Sequence, residues 1–138
     1  MEQLAVEIVG LCREYGECRV EVERMEEARR VKNALESVCS MARQRLDISD
    51  PALLLALLDA CEVTRDEGML QEVLDVVGRN LDRLAVSAES VKLLACCYYY
   101  VEEEECAERA RRMLEELRKL GMGEEELADA ETILEELT

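Results

Sequence analysis

The sequence predicts an all-α protein of about seven helices, arranged as antiparallel hairpins stacked in a short solenoid or bundle. One observation is composition: the 138 residues include one proline, six glycines and abundant Glu, Leu, Arg and Ala. No alternating run of β-branched residues indicates a strand. The second observation is a recurrence, because residues 50–86 and 87–123 place similar apolar residues at an offset of 37. Such a period is typical of stacked helical units.

The N-terminal part, residues 1–47, is expected to form a helix pair. A first helix is predicted over 2–14, and Gly16 is expected to end it. Apolar residues then recur at helical spacing from 18 to 46, which predicts one long helix. The same spacing would suit the seam of a homodimer.

The central hairpin, residues 50–86, begins at a clear boundary. Asp50 is a good N-cap, and Pro51 suits the first helical position. The helix predicted over 51–63 is apolar almost all round, so we expect it to be the most buried. Asp66 is expected to cap the second helix, which reaches about residue 84.

The second hairpin, residues 87–123, is predicted from similar signals. Ser87 is expected to cap a helix over 88–101. The acidic run Glu102–Glu105 is expected to open the next helix, because acids stabilise a helix N-terminus. This helix should end near Leu120.

The last segment, residues 124–138, is predicted to be a capping helix. The Gly121-Met122-Gly123 turn precedes it and has the chemistry of a helix stop. Laid on the second hairpin at an offset of 36, the helix over 124–137 places Ile133 on Cys97. This half-unit would close a short solenoid, and the whole chain would form one domain.

The charge of the chain limits its partners. Thirty-three acidic residues outnumber 17 basic ones, which gives a net charge of −16. Nucleic acid and anionic membranes would be repelled, so neither is an expected partner. No apolar stretch has transmembrane length and no signal-peptide pattern is present, which predicts a cytoplasmic protein.

Acid–base pairs at helical spacing indicate a thermophilic source, because such networks are typical of thermophile proteins. The pairs are Glu26–Arg30, Glu105–Arg109, Glu108–Arg112 and Glu115–Lys119.

The seven cysteines predict neither a metal site nor a catalytic site. The chain has no histidine and no CxxC pair, so the usual zinc ligand patterns are missing. No nucleophile elbow or phosphate-binding glycine loop is present either. We therefore expect no enzymatic activity, no catalytic residues, no metal and no cofactor.

Two interpretations of these cysteines stay open. They could be small buried apolar residues. Alternatively, a disulfide could join Cys12 to Cys18, or Cys106 to either Cys97 or Cys96, and the odd number would leave at least one thiol free.

The second hairpin resembles a tetratricopeptide repeat. Leu94-Ala95-x2-Tyr98 stands where that family has L-G-x2-Y, and Ala107 stands where its second helix has alanine. The resemblance implies that the first helix of each hairpin lines a concave groove for a protein partner. The implied groove residues are Ala52, Leu55, Asp59, Glu62 and Val63 from the first hairpin, and Glu89, Lys92, Cys96, Tyr99 and Tyr100 from the second.

These residues predict a non-catalytic protein–protein interaction module or assembly subunit. Asp59, Glu62 and Glu89 favour a basic or apolar protein segment, and the tyrosines would supply aromatic anchors. One alternative is an acidic regulator that mimics nucleic acid toward a basic DNA- or RNA-binding protein. Another is a purely structural bundle that self-associates through the 18–46 helix.

Overall fold

The computed structural model describes residues 2–137, and within them it contains seven α-helices and no strand. Met1, Thr138 and the side chains of Glu2, Glu126 and Leu137 fall outside the described part. The all-α prediction is confirmed. None of the described helices is both long enough and apolar enough to span a bilayer. The helices are α1 Glu2–Cys18, α2 Met25–Arg43, α3 Pro51–Thr64, α4 Glu67–Arg79, α5 Ala88–Val101, α6 Glu104–Lys119 and α7 Glu124–Leu137.

The odd-numbered helices pack on one another in chain order. Helix α1 contacts α3, α3 contacts α5, and α5 contacts α7. Each of the first three is also paired with the even-numbered helix that follows it, so α1–α2, α3–α4 and α5–α6 are packed pairs. The four odd-numbered helices are called the odd layer below.

The core is centred on α3 and α5. Leu54 and Leu57 of α3 are completely buried, as are Leu93 and Leu94 of α5. This burial agrees with the expectation from the apolar sequence of α3. Full burial of a leucine side chain stabilises the fold by about 1.5–3 kcal/mol relative to exposure.

The N-terminal helix pair differs from the prediction. Helix α1 continues through Gly16 to Cys18, and the long helix expected over 18–46 does not form. Glu21 is extended at φ −111° and ψ 118°, and a short 3₁₀ turn over Val22–Arg24 precedes α2. The physical reason is tertiary: the side chain of Cys18 is completely buried, and a bend beyond it lets α2 fold back on α1.

The boundaries of α4 and α6 also differ from the prediction. Helix α4 ends at Arg79. The side-chain amide of the next residue, Asn80, donates a hydrogen bond of 2.7 Å to the Val76 carbonyl oxygen. A 3₁₀ turn then brings Leu84 into the core. Helix α6 begins at Glu104, because Glu102 is left-handed at φ 51° and terminates α5.

Helix ends recur at the same offset of 37 residues. Asp50 accepts a hydrogen bond from the Leu53 amide at the start of α3, and Ser87 accepts one from the Ser90 amide at the start of α5. Both helices end at a left-handed non-glycine residue, Arg65 at φ 59° and Glu102 at φ 51°. Helices α3 and α5 therefore have the same length and matching ends.

One of the four predicted acid–base pairs forms among the described residues. Arg112 lies 4.0 Å from Glu108, measured between nitrogen and oxygen, and both side chains are largely exposed. Arg43 instead makes contacts between helices. Its guanidinium donates to Asp66 at the start of α4 and to Glu72 within α4, and so ties α2 to α4.

Candidate functional site

Two adjacent depressions lie on the odd layer across α3, α5 and α7. The first has a volume of about 420 Å³ and the second about 300 Å³. They share Asp59, Cys96 and Ile133, so we treat them as one groove. The first is lined by Leu55, Asp59, Lys92, Cys96, Asp129, Thr132 and Ile133. The second is lined by Leu58, Asp59, Glu62, Cys96, Tyr99, Tyr100, Ile133 and Glu136.

Equivalent positions of three helices stand in rows along this groove. Successive members of each row are 37 residues apart, so the offset seen in the sequence extends to α7. Because α3, α5 and α7 pack in order, equivalent residues reach the same surface. The rows are Leu55–Lys92–Asp129, Asp59–Cys96–Ile133 and Glu62–Tyr99–Glu136.

Seven of the ten groove residues implied by the resemblance line these depressions. Ala52, Val63 and Glu89 belong to neither lining, and Glu89 is exposed in the first turn of α5. The predicted set lacks Leu58 of α3 and the residues from α7, the latter because the predicted alignment places the last helix at an offset of 36. That alignment is wrong for Ile133, which lines the groove, whereas Cys97 is buried in the core. An offset of 37 would have found Asp129, Ile133 and Glu136.

The groove carries excess negative charge. Its lining holds Asp59, Glu62, Asp129 and Glu136 against a single cation, Lys92. The Lys92 Nζ lies 3.9 Å from an Asp129 carboxylate oxygen, so this cation already has an acidic neighbour. No ion pair between described residues involves any of the other three carboxylates.

Two carboxylates of the groove, Asp59 and Glu62 of α3, repel each other. The pKa of Asp59 is raised above its usual range, first by loss of hydration and second by the neighbouring Glu62 carboxylate. Burial, followed by the negative charge of Asp59, raises the pKa of the Cys96 thiol to about 11. Cys96 is therefore a neutral thiol at pH 7 and a weak nucleophile.

Two tyrosines form one end of the groove. The rings of Tyr99 and Tyr100 pack edge to face, with centroids 5.1 Å apart at an interplanar angle of 80°. Tyr99 is 61% exposed, whereas Tyr100 is half-buried and its hydroxyl donates a hydrogen bond to Glu62. Burial and then this carboxylate raise the pKa of Tyr100, so its hydroxyl stays protonated and holds Glu62 in place.

The structure contradicts one of the predicted disulfide pairs and leaves another untested. All seven cysteines are free thiols in it. A Cys12–Cys18 bridge is wrong, because both residues belong to the continuous helix α1 and six residues of helix rise about 9 Å, beyond disulfide reach. Cys97 and Cys106 line a shared depression between α4, α5 and α6, and their pairing stays a prediction.

The described residues form no metal-ligand cluster, since no three Cys, Asp or Glu side chains converge suitably for an ion. Compared with protein-family models, curated proteins and solved structures, the chain matches none. The resemblance to tetratricopeptide repeats therefore stays a prediction from the residues quoted above.

Proposed function

We propose that this chain is a non-catalytic protein-interaction module or assembly subunit that holds a segment of a partner protein in the groove. A tetratricopeptide-like stacking of its hairpins would present the odd layer as the binding surface. The proposal places the protein in the cytoplasm, where its net charge of −16 would keep it apart from nucleic acid and anionic lipid.

The observation that carries this proposal is that carboxylates without a described ion-pair partner and apolar surface lie together in one groove. Leu55 and Ile133, both partly exposed, supply aliphatic surface, and Tyr99 supplies an exposed ring. Asp59, Glu62 and Glu136 add negative charge, because none of these three carboxylates forms an ion pair with a described residue. A segment with apolar residues flanked by Lys or Arg complements both properties.

A helical segment fits this surface best. Helices bind in grooves through apolar residues at positions i, i+3, i+4 and i+7. Aromatic residues near the centre of such interfaces commonly supply a large share of the binding energy. Rim carboxylates would speed association and select basic partners, in a manner that salt weakens.

Selection from a random peptide display library tests the proposal without assuming a sequence. We expect the recovered peptides to be enriched in Arg and Lys and in apolar residues at helical spacing. Binding should fall at least tenfold in a Tyr99→Ala/Glu136→Gln double variant. The matched control is Tyr15→Ala/Glu89→Gln, which changes the same residue types outside both depressions and should bind like the parent protein.

Two results would count against the proposal. One is a recovered set without basic or apolar bias. The other is equal binding by the two double variants, since the selected surface would then lie elsewhere. Circular dichroism of both variants is the necessary check that the helices remain folded.

A further inference from the structure

The second depression has the chemistry of a receptor for one particular side chain. Its aliphatic surface comes from Ile133, since Leu58 also lines it but is only 2% exposed, and one side carries the exposed ring of Tyr99. Carboxylates line it from the two helices that flank α5: Asp59 and Glu62 belong to α3, and Glu136 belongs to α7. No basic residue lines this depression, although Lys92 lines its neighbour.

We propose that this depression binds an arginine side chain of the partner segment, with its guanidinium beside Tyr99 and between Glu62 and Glu136. The inference rests on the proposed function and names the residue that the groove recognises. A planar guanidinium fits because it stacks on aromatic rings and donates to carboxylates in pairs. A lysine ammonium is a compact and strongly hydrated charge, and it matches such a planar site less well.

The local hydrogen bonding supports this assignment. The Tyr100 hydroxyl donates a hydrogen bond to one oxygen of the Glu62 carboxylate. A carboxylate offers about four acceptor positions on its two oxygens, so Glu62 is oriented but keeps capacity for further donors. Glu136 makes no ion pair among the described residues, and its exposed side chain is free to approach a bound cation.

The electrostatics of the groove support it as well. Asp59 and Glu62 lie close enough for their charges to repel, because the Glu62 carboxylate contributes to raising the pKa of Asp59. A cation placed between the carboxylates would relieve it. The volume of about 300 Å³ is ample for one guanidinium and its methylene stem.

The test uses small capped amino acids whose binding is followed by NMR. The probes are N-acetyl-arginine N-methylamide, its lysine analogue and its citrulline analogue, which has the arginine shape without the charge. We expect saturable shifts of the Tyr99, Tyr100 and Ile133 signals, with a Kd in roughly the millimolar range, because so small a ligand makes few contacts. The citrulline probe should bind at least tenfold more weakly and the lysine probe several-fold more weakly.

Variants locate the binding site. Glu62→Gln and Glu136→Gln should each weaken the arginine probe at least threefold, whereas Glu89→Gln should leave its affinity unchanged. Free L-arginine should bind no more tightly than the capped probe, because the proposed site contacts only the side chain that the two molecules share. Tighter binding of free L-arginine would assign the site to a small molecule and overturn the proposal.

Other outcomes separate the inference from the function on which it rests. Equal binding of the arginine and citrulline probes, or an equal loss in Glu89→Gln, would refute the arginine site. If display-selected peptides occupy the groove without needing any arginine, the interaction module stands and this inference fails. If the arginine probe binds but no selected peptide occupies the groove, the proposed function fails instead.

Discussion

The carboxylate of Asp66 serves two parts of the fold at once. One oxygen accepts a hydrogen bond of 3.0 Å from the Met69 amide and caps α4. The other accepts one of 2.9 Å from Arg43 of α2. The capping role was predictable from local sequence, whereas the arginine lies 23 residues away and was not predicted. A local signal thus revealed only half of what this residue does.

Substitutions at Asp66 should separate these two roles. Asp66→Ala removes both, and we expect it to lower the free energy of unfolding by about 1–2 kcal/mol, mostly through the lost cap. Asp66→Asn keeps a side-chain oxygen for the Met69 amide and should cost at most half as much. Urea unfolding measures both values. Equal losses would show that the ion pair, and not the cap, dominates.

The contact between Arg43 and Glu72 should make stability depend on pH. Two guanidinium nitrogens donate to this carboxylate, and those hydrogen bonds hold the pKa of Glu72 below its usual range. The unfolded chain therefore binds this proton more readily than the folded one. The stabilisation is complete above the unfolded pKa of about 4.3 and is lost as the pH falls through the lower folded pKa.

Glu72→Gln tests this dependence. We expect the variant to be less stable than the parent at pH 7, with the difference disappearing near pH 2.5. Urea unfolding at the two pH values measures it. Because the pair is partly exposed, the effect should be small and should shrink further in high salt. A difference that persists unchanged in acid would contradict the pairing.

At the scale of whole helices, α3 and α5 both end at a residue with an unfavourable backbone. Arg65 and Glu102 adopt left-handed conformations that glycine adopts without steric cost. Other residues lose roughly 1 kcal/mol or more there. Each nevertheless turns the chain into the following helix, with its amide bonded to a carbonyl four residues earlier.

Glu102→Gly should therefore stabilise the protein by about 1 kcal/mol, because glycine removes the left-handed strain. The matched control is Glu115→Gly in the middle of α6, which should destabilise by about 1 kcal/mol, the usual cost of glycine within a helix. Thermal unfolding should show shifts of a few degrees in opposite directions. A lower Tm for Glu102→Gly would contradict the assigned backbone conformation.

Three helices were predicted closely at both ends. The helices expected over 51–63, 88–101 and 124–137 end within one residue of α3, α5 and α7. The first two begin at side-chain caps, which are local chemistry. Near Gly16 local chemistry misled, because burial of Cys18 outweighs the cost of one exposed glycine in a helix.

The groove could be predicted only in part. The groove residues of α3 and α5, apart from Leu58, were implied by the resemblance to tetratricopeptide repeats. Those of α7 were not, because the core residues of that helix also fit an offset of 36. Leu127, Ala130 and Leu134 are all buried, and apolar residues alone left the register of α7 undecided.

At the scale of the whole molecule, negative charge is expected to oppose the fold. The net charge of −16 repels itself in the compact state. The ion pairs of the described residues mostly involve exposed side chains, each worth about 0–1 kcal/mol. Salt weakens both the overall repulsion and the local ion pairs. We expect the weakened repulsion to be the larger contribution to stability.

We therefore expect the Tm at pH 7 to rise by several degrees between about 10 mM and 150 mM NaCl, over which the Debye length falls from about 30 to 8 Å. Choline chloride at equal ionic strength should act alike, because screening does not depend on the cation. Near the isoelectric pH the salt effect should vanish. A Tm that falls with salt at pH 7 would mean that local ion pairs outweigh the global repulsion.

The half-buried thiol of Cys96 gives the groove a built-in reporter. Cys96 lines both depressions, Cys12 is equally half-buried but lines neither, and the other five cysteines are buried. Both half-buried thiols have a pKa of about 11, so both should alkylate slowly at neutral pH and at similar rates. A segment bound in the groove would cover Cys96 and leave Cys12 accessible. The ratio of iodoacetamide adducts at the two positions, read by mass spectrometry, would then measure groove occupancy without an introduced label.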